Sequence, residues 1–247
     1  MKKTMKAVAA LMLMMTVVFA AGCKKNDGPN NGGDNNEVNL NGTGTYSGHD
    51  YVDLGLPSGT LWATCNVGAT MPEGYGDYFA WGETQSKDTY DWTTYKNCEG
   101  AWDGCSLTKY CNNFHYGYNG FTDDLTTLQP SDDAALASWG GNWRMPTKDE
   151  FEELYNNTTV IWSTQNGVNG RLFTASNGNG LFLPATGNRR GGELHDDGIF
   201  GYYWSSFVST ADSRSAWYLM FNSGYIYMND TYMRKFGLSV RPVRSAN

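Results

Sequence analysis

The sequence predicts an α+β domain of many short antiparallel strands, two short helices and long loops. Three observations predict it. Residues 61–67 put Leu61, Ala63, Cys65 and Val67 on one face and Thr64 and Asn66 on the other, the period of two of a half-buried strand. Gly55, Pro57, Gly59, Gly68, Pro72 and Gly74 punctuate such runs, as tight turns between short strands require. Only two stretches open with a helix cap.

The first strands are expected at residues 51–54, 61–67 and 77–81. Residues 87–124 have no sustained period and hold Cys98, Cys105 and Cys111 among Tyr90, Trp92, Tyr95, Trp102, Tyr110, Phe114, Tyr116 and Tyr118, which predicts a long, locally braced loop. A short helix follows through residues 134–137, capped by Asp132 or Asp133 and ended by Gly140 and Gly141. The second helix starts at Thr147, with Pro146 before it and Glu150 three residues on, the spacing of a capping box. Its inward face is expected to carry Phe151 and Leu154, with Tyr155 beside them. Strands are then predicted at 160–163, 171–174, 181–183, 202–205, 216–221, 225–228 and 238–243, with Asn222, Ser223 and Gly224 turning the fifth of these into the sixth as an antiparallel hairpin.

At the N-terminus, Lys2, Lys3 and Lys6 precede an apolar run over residues 7–21 whose only polar member is Thr16, the pattern of a secretory signal. Fifteen helical residues span about 22 Å, too short for the roughly 30 Å hydrocarbon core. The run ends Ala20-Ala21-Gly22-Cys23, which resembles the lipobox of bacterial lipoproteins and makes Cys23 the expected lipidation site. Residues 1–22 are thus expected as a lipoprotein signal and 23–45 as a lipidated cysteine with an Asn/Gly-rich tether, since NDGPNNGGDNN has no apolar surface to offset its conformational entropy. Residues 46–247 form the domain.

The chain carries 18 basic and 25 acidic residues, a net charge of -7; without the three lysines before Cys23 it carries 15 against 25, or -10. Such a charge repels phosphate backbones, so no nucleic-acid partner is expected. Of the four remaining cysteines, Cys98, Cys105 and Cys111 are candidates to brace the loop by disulfides, with Cys65 either a buried thiol or the partner of the leftover cysteine. Most aromatic rings are expected to fill a core short of Leu and Ile. Trp102, Tyr116 and Tyr118, flanked by Gly, Asn and Asp, are the candidates for exposed ligand-binding rings.

Four blocks bear on family. They are YVDLGLPSGTLWATCNVGA (51–69), GDYFAWGE (76–83), DDAALASWGGNWRMPTKDEFEEL (132–154), and YYWSS with AWYLMF and GLSVRPVR (202–244). In this order they resemble the Fibrobacter succinogenes major paralogous domain of secreted and lipid-anchored Bacteroidetes proteins. That family is similar to C-type-lectin-like folds, including sulfatase-modifying enzymes, in which an arginine, proline, threonine and acidic run opens a helix; here the run is Arg144, Met145, Pro146, Thr147 and Glu150. The resemblance implies a C-type-lectin-like domain whose last strands return near its beginning, and it supplies no catalytic residue.

Chemistry-bearing patterns are sparse. Sulfatase-modifying chemistry would need cysteines in the C-terminal part, yet the last is Cys111. There is no G-x-S-x-G or H-E-x-x-H motif, and the histidines are His49, His115 and His195. Glu193, His195, Asp196 and Asp197 fit no metal-ligand spacing, and Asp132 and Asp133 are expected as helix caps rather than calcium ligands beside Asp123 and Asp124. No metal and no cofactor is expected. The leading expectation is a non-catalytic, lipid-anchored cell-envelope module, on the outer membrane, that binds a glycan or protein. The alternatives are a structural subunit of a surface assembly and an enzyme of unfamiliar type.

Overall fold

The computed structural model describes residues 38–100 and 106–246. In chain order its strands are β1 (Gly44–Tyr46), β2 (His49–Val52), β3 (Thr60–Ala63), β4 (Cys98–Glu99), β5 (Ser106–Leu107), β6 (Thr158–Gln165), β7 (Val168–Ala175), β8 (Gly180–Pro184), β9 (Asn188–Arg190), β10 (Glu193–His195), β11 (Gly201–Val208), β12 (Ser215–Phe221), β13 (Ile226–Met233) and β14 (Val243–Ser245). The helices α1 (Ala134–Trp139) and α2 (Lys148–Asn156) lie between β5 and β6. Pairing of the named strands is antiparallel throughout, in sheets ordered β1-β2-β3-β14, β6-β7-β8 and β11-β12-β13 with two short ribbons, β4-β5 and β9-β10. The chain is therefore α+β and mostly β, and its last strand closes on β3 near its beginning.

The sheet β11-β12-β13 organises the interior because its side chains alternate between two cores. Tyr203, Leu219 and Phe221 enter one core with Val52, Trp62, Phe151, Leu154 and Phe173. Tyr202, Trp204 and Tyr218 enter a second with Phe79, Trp81, Ala134 and Val240. The two-residue period thus places opposite faces of one sheet in two apolar environments. A third cluster, of Tyr78, Tyr90, Trp92, Tyr95, Leu107 and Cys111, gathers the aromatics of the long middle segment. Most of those rings fill a core, as expected.

Both helix starts follow their local sequence. The Asp133 side chain accepts from Ala135 N and Leu136 N and also from Met145 N, which joins α1 to the strand-like segment before α2. Burial raises its carboxyl pKa, with those backbone donors opposing the shift. At α2 the capping box is complete, and Arg144 makes a bidentate pair with Glu150, which also accepts from the Thr60 hydroxyl. Burial alone would raise the Glu150 pKa, but Arg144 and the Thr147 N–H hold it below the usual carboxylate value.

Several expectations need correction. Residues 61–67 are buried on both faces, and only Thr60–Ala63 is strand. The polar face is covered because the Arg241 guanidinium donates to Asn66 Oδ1 and to the Ala63 and Thr64 carbonyls. Residues 77–81 form no strand: Phe79 makes one antiparallel bridge to Leu238, and Trp81 N then bonds Arg234 O. Most of 238–243 is irregular for the same reason, its pairing being divided among Phe79, Tyr203 and Arg144. Tyr155 is 42% exposed, while Phe151 and Leu154 are buried. Finally, Asn39 bridges Asn179 and Thr43 N donates to Tyr51 O, so residues 39–45 pack on the domain ahead of the expected start at Tyr46.

Candidate functional site

A cleft of about 380 Å³ opens where three distant segments meet: Ser47 to His49, residues 67–70 with Asp77, and Ser138 with Trp139. The first belongs to the β1–β2 hairpin and the third to the C-terminal end of α1. Their approach needs glycine. Gly140 ends α1 at φ +68°, and at Gly141 (φ +60°) a Cβ would come within 2.8 Å of the Tyr46 ring and 2.9 Å of Ser47 Oγ. Across this junction the His49 imidazole stacks on the Trp139 indole at 3.7 Å and 5°. Trp143 meets both rings edge-on and anchors them by donating Nε1–H to Tyr46 O at 3.2 Å. Partial burial lowers the His49 pKa below 6.5 while Asp50 opposes the shift, so the imidazole is neutral at pH 7.

The opposite wall is held from beneath by a buried cation. Arg241 is fully buried, and besides its bonds to Asn66, Ala63 and Thr64 it reaches Pro72 O at 3.4 Å. Burial lowers its pKa to about 10. Asn66 in turn donates to the Gly74 and Tyr75 carbonyls, so one side-chain pair fixes both ends of the segment lining the cleft. Gly68 has φ +81°, and a Cβ there would lie 2.5 Å from the Asp77 carboxyl carbon. Its missing side chain is what lets Asp77 reach the cleft. Asp77 is exposed, as are Ser47, Thr70 and Ser138. None of these four side chains has a hydrogen bond or ion pair with the described residues. Among the described residues, no lysine or arginine lines the cleft.

Of the residues expected to bind ligand, Tyr116 and Tyr118 lie elsewhere. Trp102 is outside the described residues, as are Cys23 and Cys105. Tyr116 is half-buried with the Arg214 guanidinium 4.2 Å from its ring centroid and bonded to its hydroxyl. Tyr118 is 45% exposed on a short 3-10 turn (Tyr118–Gly120), beside none of the cleft residues. The buried rings of this middle region surround another cation. Arg234 sits 5.0 to 5.7 Å from the centroids of Trp81, Tyr95 and Tyr110, and donates to Tyr95 Oη, Tyr110 O, Ser213 O and Lys109 O. Among the disulfide candidates, Cys111 is a buried free thiol, 3.2 Å from Asn113 O, so it braces the loop by packing and not by a bridge. Cys65 is fully buried and Cys98 begins β4.

Three of the four acidic residues considered for calcium have other partners, Asp133 as the cap of α1. Asp123 accepts from Tyr110 N, Cys111 N and Leu125 N, and Asp132 pairs with Lys96 and Lys109. His195 faces Glu193 at 3.9 Å, and Asp196 pairs with Arg190. No cluster of His, Cys, Asp and Glu among the described residues could hold a metal.

Most of the cleft lining falls within a recognisable family segment: residues 57–244 match the Lcl C-terminal domain. The chain belongs to the Lcl C-terminal domain family. This agrees with the Fibrobacter-type resemblance. No curated relative and no solved structure matches the chain. Within this Lcl C-terminal domain the match includes Asp77, Ser138 and Trp139, while Ser47 and His49 are contributed from outside it. Sequence reasoning missed the cleft because its parts are far apart in the chain. The one local signal was Trp139 directly before two glycines.

Proposed function

We propose that this Lcl C-terminal domain protein is a non-catalytic binding or adhesion module, lipid-anchored through Cys23 to the bacterial cell envelope at the outer membrane, and that the His49–Trp139 cleft is where it contacts a glycan or protein ligand. The observation that carries the reading is a partly exposed aromatic stack beside four polar side chains without partners among the described residues. The domain is C-type-lectin-like in this reading, consistent with its looped, mostly antiparallel architecture. The signal at residues 1–22 and the tether are consistent with display at a membrane surface. Among the described residues, no helix is long and apolar enough to cross a membrane. Glycan-array and pull-down screens with the full chain and Trp139→Ala test the site. A ligand held by the first and lost by the second is expected, and capture that is indifferent to Trp139 would move the site elsewhere. Mass spectrometry of the exported protein should find Cys23 acylated.

A second reading, a subunit of a surface assembly, draws on β6 and β13. Each is eight residues long, forms the edge of its sheet, and carries exposed apolar side chains, Ile161 and Tyr227. It predicts self-association in light scattering at high concentration, and a monomer throughout would reject it.

A further inference from the structure

Resting on that reading of the cleft, we infer that its ligand is an uncharged pyranose-type glycan, one ring face lying against the His49–Trp139 stack and its hydroxyls donating to Asp77.

The chemistry of the lining selects this class. Anionic ligands are disfavoured, because among the described residues the one charged group in the lining is the Asp77 carboxylate and no lysine or arginine is there to neutralise a second anion. The imidazole of His49 adds no compensating charge at neutral pH. An ionised carboxylate only accepts hydrogen bonds, so the ligand must supply donors, and charge-assisted O–H···O⁻ bonds are among the stronger ones. Ser47, Thr70 and Ser138 can each donate and accept, and all three lack protein partners among the described residues, which suits a ligand with several hydroxyls spread around a ring. A simple ammonium group would use the carboxylate and an aromatic face but would leave those hydroxyls and most of a cleft of about 380 Å³ unfilled. The stack supplies the remaining requirement, a flat and rigid apolar surface, held by the edge-on Trp143 and complementary to the axial C–H face of a pyranose.

The test is calorimetric and fluorescence titration of the full chain with three probe sets. They are neutral oligosaccharides (gluco-, manno-, galacto- and xylo-oligomers), their sulfated or uronate counterparts, and an oligolysine peptide. Each is repeated with Asp77→Asn and Trp139→Ala. The exposed Asp77 has no protein partner among the described residues, so its variant keeps the fold even if Trp139→Ala does not. The proposal expects at least one neutral probe to bind, with affinity falling roughly five- to tenfold in Asp77→Asn and by about tenfold or more in Trp139→Ala. Binding of only anionic or only cationic probes, lost with Trp139→Ala, would overturn the neutral-glycan assignment and leave the cleft as the binding site. Binding that ignores both substitutions, or no binding by any probe, would overturn the assignment and the site together.

Discussion

The cleft around Trp139 and the cage around Arg234 use the same materials to opposite ends. In the cage, Trp81, Tyr95 and Tyr110 close on a guanidinium whose four bonds within the described residues go to one hydroxyl and three carbonyls, and no carboxylate among those residues pairs with it. In the cleft, Trp139 and His49 stand beside a carboxylate and three hydroxyls that bond nothing in the described protein. Aromatic residues flanked by polar ones therefore carry no functional meaning by themselves. What separates a brace from a binding surface is whether the neighbouring polar groups are already satisfied inside the fold.

The largest expected effect tests the brace. Arg234→Met should cost about 3 to 5 kcal/mol in urea unfolding, because two buried carbonyls, the part-buried Lys109 carbonyl and the Tyr95 hydroxyl lose their donor at once. If the loss is under about 1 kcal/mol, the cage is not structural and the contrast with the cleft fails. Gly68→Ala should cost about 1 to 2 kcal/mol, since the residue combines φ +81° with a contact to Asp77, and it should weaken ligand binding through displacement of that carboxylate. Asp133→Ala removes the cap of α1 and the Met145 contact together, for about 1 to 2 kcal/mol in the same assay.

The pH prediction concerns His49. Its folded pKa lies below the unfolded 6.5, so the folded protein binds that proton less readily than the unfolded chain does. The contribution is whole above pH 6.5 and is lost as pH falls from there through the folded midpoint. Proton NMR should place that midpoint below 6.5, and Trp139→Ala should move it upward by removing the ring that shields it. A midpoint unchanged by Trp139→Ala would mean that the stack does not desolvate the imidazole. The smallest effect is expected at the loop tip, where Tyr118→Ala should change stability by less than about 0.5 kcal/mol and leave ligand binding unaltered.

Legibility in the sequence followed the range of the interactions. The capping box at Thr147 and Glu150, an acidic cap at Asp132 or Asp133 and the Asn222 turn depend on residues within a few positions of one another, and each was readable, the structure settling the cap on Asp133. Residues 61–67 misled because alternation reports which side chains are polar and not what covers them, and the cover is Arg241, far along the chain. The cleft was not readable at all. Its three segments come together only after β2, α1 and the loop held by Arg241 are in place, and its acid is identified by the partners it lacks among the described residues. Tyr116 shows the converse, since polar neighbours in the sequence suggested exposure and Arg214 covers the ring.

The sheet β11-β12-β13 lends one face to each of the two larger cores. Neither could melt and leave the other intact, because removing either strips a common wall. Differential scanning calorimetry should accordingly record a single endotherm, with calorimetric and van't Hoff enthalpies in agreement. The cleft and the arginine cage would vanish in the same transition, as parts of one thermodynamic unit.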